Sequence, residues 1–466
     1  MKTYTDLLPH QAEAVKKLKK IKVGALYMEM GTGKTRTALE LIAQRLNAGK
    51  VDHVVWLCPC SIKGDIARGI AEHSDLADTG LLDVVGIETL STSVRECSRL
   101  LELAQSRRVY LVVDESSLIK NHKALRSEHI SQIAGKCNYK MILSGTPITR
   151  SEEDLYGQWK ILDWRILGYR SFYSFAANHL EYDKKGRVRN TLNTDYLAEK
   201  IEPYTYQVLK SECLVLPEKH RKTRPFLMTD EQDVHYSWVI DRLLTDLDEM
   251  TSEAIYRLFG ALQSVISGYR IDIDHKLRTS REMMFDNPED NPRVKCLLRA
   301  LQDFEDEKIL IFCRFTDEIL ILHRILSDRG IPCAAFYGGM RQKDRELALD
   351  DFRGPARILL ANKACGAHGL NLQFCRNIIF YSHDWDWGTR AQAEDRVHRI
   401  GQTEDVNILD IECANSIDVK ILECLKRKGN LSDEFKRNIR LVQKEELLKA
   451  VRGGNNAKTI PEQNGA

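Results

Sequence analysis

The stretch that most constrains this chain runs from Val23 to Thr35. Val23-Gly24-Ala25-Leu26-Tyr27 is short and mostly apolar and reads as a buried strand. Beyond the loop, Leu39, Ile42, Ala43 and Leu46 recur at helical spacing. Between them lies Met28-Glu29-Met30-Gly31-Thr32-Gly33-Lys34-Thr35, a glycine-containing strand-to-helix loop. Backbone N–H groups at a helix N-terminus point at an anion, and the helix dipole favours negative charge there. Gly31 and Gly33 let the backbone curl around phosphate oxygens without a Cβ clash. Met30, Gly31, Thr32, Gly33, Lys34 and Thr35 are therefore the candidate cradle of a nucleotide. In such a loop the lysine reaches the β- and γ-phosphates and the hydroxyl ligates Mg²⁺. One departure is visible: Met28 stands where the first glycine of such loops usually stands.

At 466 residues the chain is too long for one ordinary core, and two or three domains are expected. With 43% hydrophobic and 29% charged residues it fits a soluble globular enzyme. The net charge of +2 neither supports nor excludes nucleic acid, because a basic cleft can sit on a neutral protein. The twelve cysteines include no Cys-x-x-Cys pair and read as reduced thiols, which points to the cytoplasm. No signal-peptide core opens the chain, and no uncharged apolar run reaches membrane-spanning length.

Gln11 follows Pro9-His10 upstream of the loop, and a glutamine amide can pair with the N6 and N7 edge of adenine. Strand-like runs recur at His53–Cys58, Leu82–Val85, Val109–Val113 and Tyr139–Leu143. The third ends in Asp114-Glu115-Ser116-Ser117, at the strand end where open α/β sheets bind ligands. There Asp114 suits a hydrated Mg²⁺ and Glu115 suits a water that attacks the γ-phosphate. The same acids would also serve as helix caps. The fourth run ends in Ser144-Gly145-Thr146-Pro147, which is either a turn or a hydroxyl pair that senses the γ-phosphate.

From Pro147 to Lys308 the β-α-β alternation stops. Helical periodicity (Leu243, Leu244, Leu247) is broken by the charge runs 183–189 and 218–224, which read as solvated surface or as phosphate contacts. Alternation returns with strands at Ile309–Cys313, Ala334–Tyr337, Arg357–Asn362 and Asn377–Tyr381, a second doubly wound sheet. It has no phosphate loop of its own. It carries Gln392-Ala393-Glu394-Asp395-Arg396-Val397-His398-Arg399-Ile400-Gly401-Gln402. The spacing predicts a helix ending at Gly401, with Gln392, Arg396 and Arg399 on one face. Such arginines suit a γ-phosphate, where an arginine finger contributes on the order of 10³–10⁵ in turnover. They would equally pair on the surface with Glu394 or Asp395, at about 0.2–0.5 kcal/mol per pair. Gln392 also closes a capping-box pattern with Thr389.

Together these stretches resemble superfamily-two helicases, specifically the Swi/Snf-type branch that includes chromatin remodellers. The motifs are Met30–Thr35, Asp114-Glu115, Ser144–Pro147, Leu155-Tyr156-Gly157-Gln158-Trp159, Gly369-Leu370-Asn371-Leu372, Gln392–Gln402 and Ile417-Asp418-Val419-Lys420-Ile421. The resemblance implies an α/β fold of two RecA-like doubly wound lobes with a mostly helical insertion, and ATP and duplex DNA as ligands. Ranges follow as 1–165 for lobe 1, 166–285 for the insertion, 286–430 for lobe 2 and 431–466 for a helical tail that ends disordered. It further implies DNA contacts at Ser61, Lys63 and Thr89, and at Arg314, Asn362, Lys363 and Asn371. Ser144 and Thr146 are its coupling hydroxyls. Asn362-Lys363 replaces the family's usual Ser-Thr, and Ser116-Ser117 departs from the commoner ending of the acidic box. The size suggests a stand-alone bacterial or viral motor, monomeric when free.

The expected activity is a Mg²⁺-dependent, DNA-stimulated ATPase that translocates on double-stranded DNA. Its rivals are a strand-separating DNA or RNA helicase and a nucleotide-gated DNA clamp. A small-molecule kinase is disfavoured, because the second lobe repeats the sheet pattern instead of building an acceptor pocket.

Overall fold

The computed structural model describes residues 1–145, 152–182, 188–245, 252–274, 278–304, 306–362 and 370–427. The chain forms two compact units, Met1–Val215 and Leu216–Ala466. In the first, the strands are β1 Val23–Met28, β2 His53–Cys58, β3 Leu82–Gly86, β4 Val109–Val113 and β5 Tyr139–Ser144. A short antiparallel hairpin follows, β6 Leu180–Tyr182 with β7 Val188–Thr191, and then β8 Thr205–Val208. Six of these make one parallel sheet in the order β3-β2-β4-β5-β1-β8.

The second unit holds β9 Lys219–Phe226, a hairpin of β10 Tyr269–Ile273 and β11 Thr279–Met283, then β12 Ile309–Phe312, β13 Cys333–Phe336, β14 Ile358–Ala361, β15 Asn377–Phe380 and β16 Val406–Cys413. Its parallel sheet runs β13-β14-β12-β15-β16-β9.

Both sheets are apolar on both faces, as parallel sheets covered by helices must be. In the first, Ala25, Tyr27, Val55, Leu57, Leu111 and Val113 fill one core. The alternate residues Leu26, Met28, Val54, Trp56, Tyr110 and Val112 fill the other. In the second, Ile309, Ile311, Ile358 and Ile379 face one side, and Leu310, Phe312, Leu359 and Ile378 face the other. With no polar face on the central strands, chemistry is confined to loops at the strand ends.

The span 166–285, read above as one helical insertion, is divided between the units. Its β8 pairs with β1, from Ala25↔Thr205 to Met28↔Val208, and closes the first sheet. Its β9 pairs with β16 over eight residues, from Val406↔Lys219 to Cys413↔Phe226, and forms the edge of the second. The charge run 218–224 thus belongs largely to a strand. Pro225, which cannot donate to a ladder, is tolerated on such an edge.

Ile417-Asp418 opens the helix Ile417–Lys426, and its Asp418 side chain is completely buried. The Asp418 carboxylate pairs with Arg293, itself completely buried. Arg293 Nη1 donates to Ser267 Oγ at 3.1 Å, and Ser267 Oγ donates to Glu318 Oε1 at 2.5 Å. The guanidinium lies 5.5 Å from the Phe226 ring centroid and 5.6 Å from that of Tyr381. Removing one partner of a buried pair strands the other charge, at about 3–5 kcal/mol. Asp418→Ala is therefore expected to destabilise the second unit by about that amount, with Arg293→Met in the same chain restoring most of the loss. Hydrogen exchange of the helix Pro292–Ala300 in rising urea checks this; unchanged protection in Asp418→Ala would refute it.

Candidate active site

The phosphate loop leaves β1 at Met28 and enters the helix Lys34–Asn47. Gly31 and Gly33 have φ of 79° and 86°, which an L side chain rarely adopts. A Cβ on Gly33 would also lie 2.1 Å from Gln11 Nε2. The first ladder bond of the helix runs from Thr37 N–H to Gly33 O, so the N–H groups of Lys34, Thr35 and Arg36 lie outside the ladder. Thr32 is buried, and its hydroxyl donates to Glu29 O at 2.7 Å. Lys34 Nζ donates to Met28 O at 3.0 Å and to Glu29 O at 3.4 Å, a pair of neutral oxygens. Glu29 in turn accepts from Lys210 N–H at 2.7 Å, which ties the loop to the chain beyond β8.

Gln11 is buried at the other side of the loop. Its Nε2 donates to Thr32 O at 3.1 Å, and its Oε1 accepts from Leu8 N–H at 3.0 Å. His10 Nε2 donates to the same Thr32 oxygen at 2.8 Å. Gln11 therefore braces the loop, with one amide hydrogen and one lone pair still in hand for a base edge. His10 escaped the sequence reading, because nothing local marks a histidine that bonds a residue two elements away.

Asp114 follows β4, its N–H bonded to Leu57 O at 2.7 Å. Its Oδ1 accepts from Glu115 N–H at 2.9 Å. Burial, and next the Glu115 charge, push its carboxyl up to about 7 against the opposing charge of Lys34. Glu115 sits at φ 49°, ψ 55°, the left-handed region, and precedes the short helix Ser116–Ile119. At the end of β5, a Cβ on Gly145 would lie 3.4 Å from Met30 N and 3.7 Å from Lys34 Nζ, so that strand end abuts the loop. Ser144 is fully buried, and Thr146 lies outside the described residues.

In the second unit the helix carrying Gln392 is shorter than the spacing predicts. It spans Trp387–Glu394 and is capped by Asp386, whose Oδ2 accepts from Thr389 N–H at 2.8 Å. Gln392 is therefore interior and caps nothing. Arg396 and Arg399 lie in the turns that follow, held by Arg396 N–H to Ala393 O, Val397 N–H to Glu394 O and Gln402 N–H to Arg399 O. Beyond the helix, the Arg396 carbonyl accepts from Leu372 N–H at 3.0 Å. Gly401, at φ 96°, ends these turns and not the helix. Arg396 is buried, and Arg399 Nη1 donates to Leu370 O at 3.4 Å.

The base of this segment is an ion cluster. Glu394, 1% exposed, accepts from Arg390 Nε at 2.9 Å, from both Nη atoms of Arg221 at 2.8 and 2.7 Å, and from Lys219 Nζ at 2.9 Å. Arg390 Nη1 also reaches Asp410 Oδ1 at 2.7 Å, and its guanidinium lies 3.3 Å from the Phe380 ring centroid. Glu394 is thus not a surface partner of Arg396 or Arg399; its oxygens are taken by β9 and by its own helix.

Family comparisons match the chain in three successive parts. Residues 4–62 match "Type III restriction enzyme, res subunit", residues 73–267 "SNF2-related domain" and residues 292–401 "Helicase conserved C-terminal domain". The chain carries an SNF2-related domain followed by a helicase conserved C-terminal domain, and these mark it as an ATP hydrolase of the helicase type. The uncharacterized ATP-dependent helicase YqhH of Bacillus subtilis is 22% identical over 92% of this chain and 79% of its own length. The ISWI chromatin-remodeling complex ATPase ISW1 of Saccharomyces cerevisiae is 23% identical over 91% of this chain. Protein CHROMATIN REMODELING 5 of Arabidopsis thaliana is 26% identical over 70% of it. The chain spans only 40% and 19% of those two proteins. A solved Sulfolobus solfataricus SWI2/SNF2 ATPase core in complex with dsDNA, 21% identical, aligns over 97% of this chain and 98% of its own, with a TM-score of 0.42.

The expected DNA residues separate by environment. Lys63 is exposed at the start of the helix Lys63–His73. The neighbouring Cys60 meets Thr89, Sγ to Oγ1 at 3.5 Å, so the ends of β2 and β3 bring that pair of loops together. Asn371 is exposed and Asn362 buried; Lys363 lies outside the described residues. Arg314 is drawn inward. Its backbone N–H donates to Ser382 Oγ at 2.7 Å, and its guanidinium lies 3.6 Å from the Trp385 ring centroid. With Arg390, Asp384 and Phe380 it lines a cavity of about 260 Å³.

The Glu394 cluster gives the second unit an acid-sensitive joint. Burial would raise this carboxyl, but the Arg221 hydrogen bond and the charges of Arg390, Lys219 and Arg221 outweigh it and pull it down to about 2. An unfolded glutamate titrates near 4.5. Stabilisation from the cluster is therefore complete above about pH 5 and drains away as pH falls from 4.5 towards 2. Glu394→Gln is expected to be about 3 kcal/mol less stable than wild type at pH 7, with the gap closing below pH 4. Urea midpoints across that range check it; a gap that stays constant with pH would refute it.

Proposed function

We propose that this ATPase is Mg²⁺-dependent, stimulated by DNA, and translocates along double-stranded DNA. The observation that carries the reading is the arrangement at the carboxyl ends of β1, β4 and β5 in the first sheet. There the Gly31–Gly33 cradle, Lys34, the buried Asp114 and the Gly145 strand end converge on one loop. Its donors fit a metal–triphosphate: helix N-terminal N–H groups and one ammonium for phosphate oxygens, and a carboxylate with the Thr35 hydroxyl for a hard cation.

In this reading Lys34 exchanges its two carbonyl partners for the β- and γ-phosphates. Asp114 and Thr35 would hold the Mg²⁺, which would supply charge neutralisation for the phosphate oxygens. Glu115 orients the attacking water and accepts its proton. Gln11 and Gln392 complete the nucleotide contacts, and Ser144 and Thr146 report the γ-phosphate. Arg396 and Arg399 stabilise charge that develops in the transition state. Loss of the γ-phosphate then shifts the balance between states of unequal DNA affinity, which drives a step.

The exposed Lys63, its neighbours Ser61 and Thr89, and on the second unit Asn371 with Asn362 and Lys363 are proposed to follow the phosphate backbone. Arg314 joins them if it leaves Trp385. The names of the eukaryotic relatives, chromatin-remodelling ATPases, support duplex DNA as the track. Backbone tracking carries little sequence preference and strong salt dependence.

Lys34→Ala and Glu115→Gln are expected to abolish phosphate release. Arg399→Ala is expected to keep ATP affinity but lose at least ~10²-fold in turnover. Wild-type release by Lys34→Ala or Glu115→Gln would overturn the site, and weakened binding with intact turnover would overturn the Arg399 role. Duplex DNA is expected to stimulate the ATPase more than single-stranded DNA or RNA. Equal stimulation by RNA, or unwinding of a forked duplex, would replace translocation with strand separation.

A further inference from the structure

The motif Leu155-Tyr156-Gly157-Gln158-Trp159 has no part in the reaction as described so far. It lies in the helix Glu153–Leu167, which follows the β5 strand end in sequence. Gly157 meets the loop after the acidic pair: a Cβ there would lie 2.3 Å from Lys120 O and 2.8 Å from Ile119 O. No other residue lets the helix backbone approach that loop so closely. The next residue, Gln158, is fully buried, and its Oε1 accepts a 2.6 Å hydrogen bond from Ser116 Oγ, also fully buried. Gln158 Nε2 donates to Asp154 O at 3.0 Å, which fixes the amide orientation. One turn earlier, Asp154 Oδ2 pairs with Lys120 Nζ at 3.4 Å. The following residue, Trp159, lies edge-on to Tyr27, centroids 6.5 Å apart, one position before Met28 whose carbonyl holds Lys34.

Three consecutive residues thus brace both sides of the site from behind. The side that needs bracing is Glu115. A non-glycine residue in the left-handed region carries about 1–3 kcal/mol of strain and persists only where its surroundings over-determine it. Upstream, Asp114 is pinned by Leu57 O and by the Glu115 N–H. Downstream, Leu118 N–H returns to Glu115 O at 2.9 Å, and Ser116 is held by Gln158. A pair of apolar residues would fill the same buried space with no desolvation cost. What a directional O–H···O bond adds is a fixed azimuth for the residue beside Glu115.

We infer that Gln158, acting through Ser116, is a positioning residue that holds Glu115 in its strained conformation for hydrolysis. The structure gives the Leu155–Trp159 motif a function: it couples the helix behind the β5 strand end to the acidic pair. This rests on the ATP hydrolysis assigned above and not on duplex tracking.

The test compares Ser116→Ala, Gln158→Met and the double variant, with Gln158→Glu, which keeps an acceptor for the Ser116 hydroxyl. ATPase is measured first without DNA and then with saturating duplex, so a failure of DNA stimulation leaves the comparison intact. Each single variant is expected to lower kcat about 5- to 50-fold with KM for ATP within twofold of wild type, since the phosphate loop is untouched. The double variant is expected to fall no further than the worse single one, because both remove the same bond. Gln158→Glu is expected to recover at least half of the kcat lost in Gln158→Met. Thermal unfolding runs alongside. If Ser116→Ala, the smaller cut, melts lower but keeps wild-type kcat per folded molecule, the bond is merely structural and the inference fails. Losses that multiply in the double variant would also overturn it.

Discussion

One carbonyl oxygen, that of Thr32, accepts hydrogen bonds from both His10 and Gln11. Everything at the phosphate loop depends on that double anchor. The loop must hold two glycines at positive φ, keep the Lys34 ammonium over Met28 O and Glu29 O, and leave the first helical N–H groups facing outward. A loop of that shape needs polar bonds from its neighbours. The helix Pro9–Leu18 supplies the missing constraint from the side, and Lys210 N–H supplies it from the far strand through Glu29. Protein hydrogen bonds from both sides thus define the shape of the loop.

The two units solve the same problem with different means. Both bury a parallel sheet on both faces and so displace polar chemistry to the strand ends. The first unit orients its reactive groups mainly through backbone hydrogen bonds and the neutral Ser116–Gln158 pair. In the second, whole charges are buried: Arg293 with Asp418, and Glu394 among Arg390, Arg221 and Lys219. Buried ion pairs add little net stability over apolar replacements, but they penalise any arrangement in which a partner is displaced. In the second unit that penalty falls on β9, β16 and the segment that carries Arg396 and Arg399, fixing them to one another.

How much of this was legible in the sequence follows from where each signal resides. The strands β2, β4, β12 and β15 are continuous apolar runs, because both faces are covered, and the phosphate loop is marked by local backbone demands. Those features need no tertiary knowledge. β8 is only four residues long and includes Tyr206 and Gln207, so no run betrays it. β9 is mostly basic, and its Lys219 and Arg221 are satisfied by Glu394, a partner far away in the chain. Gly401 is a natural stop and suggests a longer Gln392 helix, whereas the helix ends at Glu394 and the turns after it bond to Leu372, on another segment. Arg293 was invisible because its partners Asp418 and Ser267 lie far away in the chain, and the motif around Gln158 was legible while its bond to Ser116, on another element, was not.

The pairing of β9 with β16 has a consequence for how the protein comes into being. Glu218 and Asp405, which flank that pairing, bond across 187 residues of chain. The first sheet has every strand once Val208 has been synthesised. The second begins with a basic ribbon whose neighbour is the last strand of its sheet. During vectorial synthesis Lys219 and Arg221 must wait, solvated, while the intervening chain appears, since neither Glu394 nor β16 yet exists. Polar composition keeps that waiting edge soluble, where an apolar one would invite misassembly. The charges that close the finished lobe also act as its chaperone beforehand.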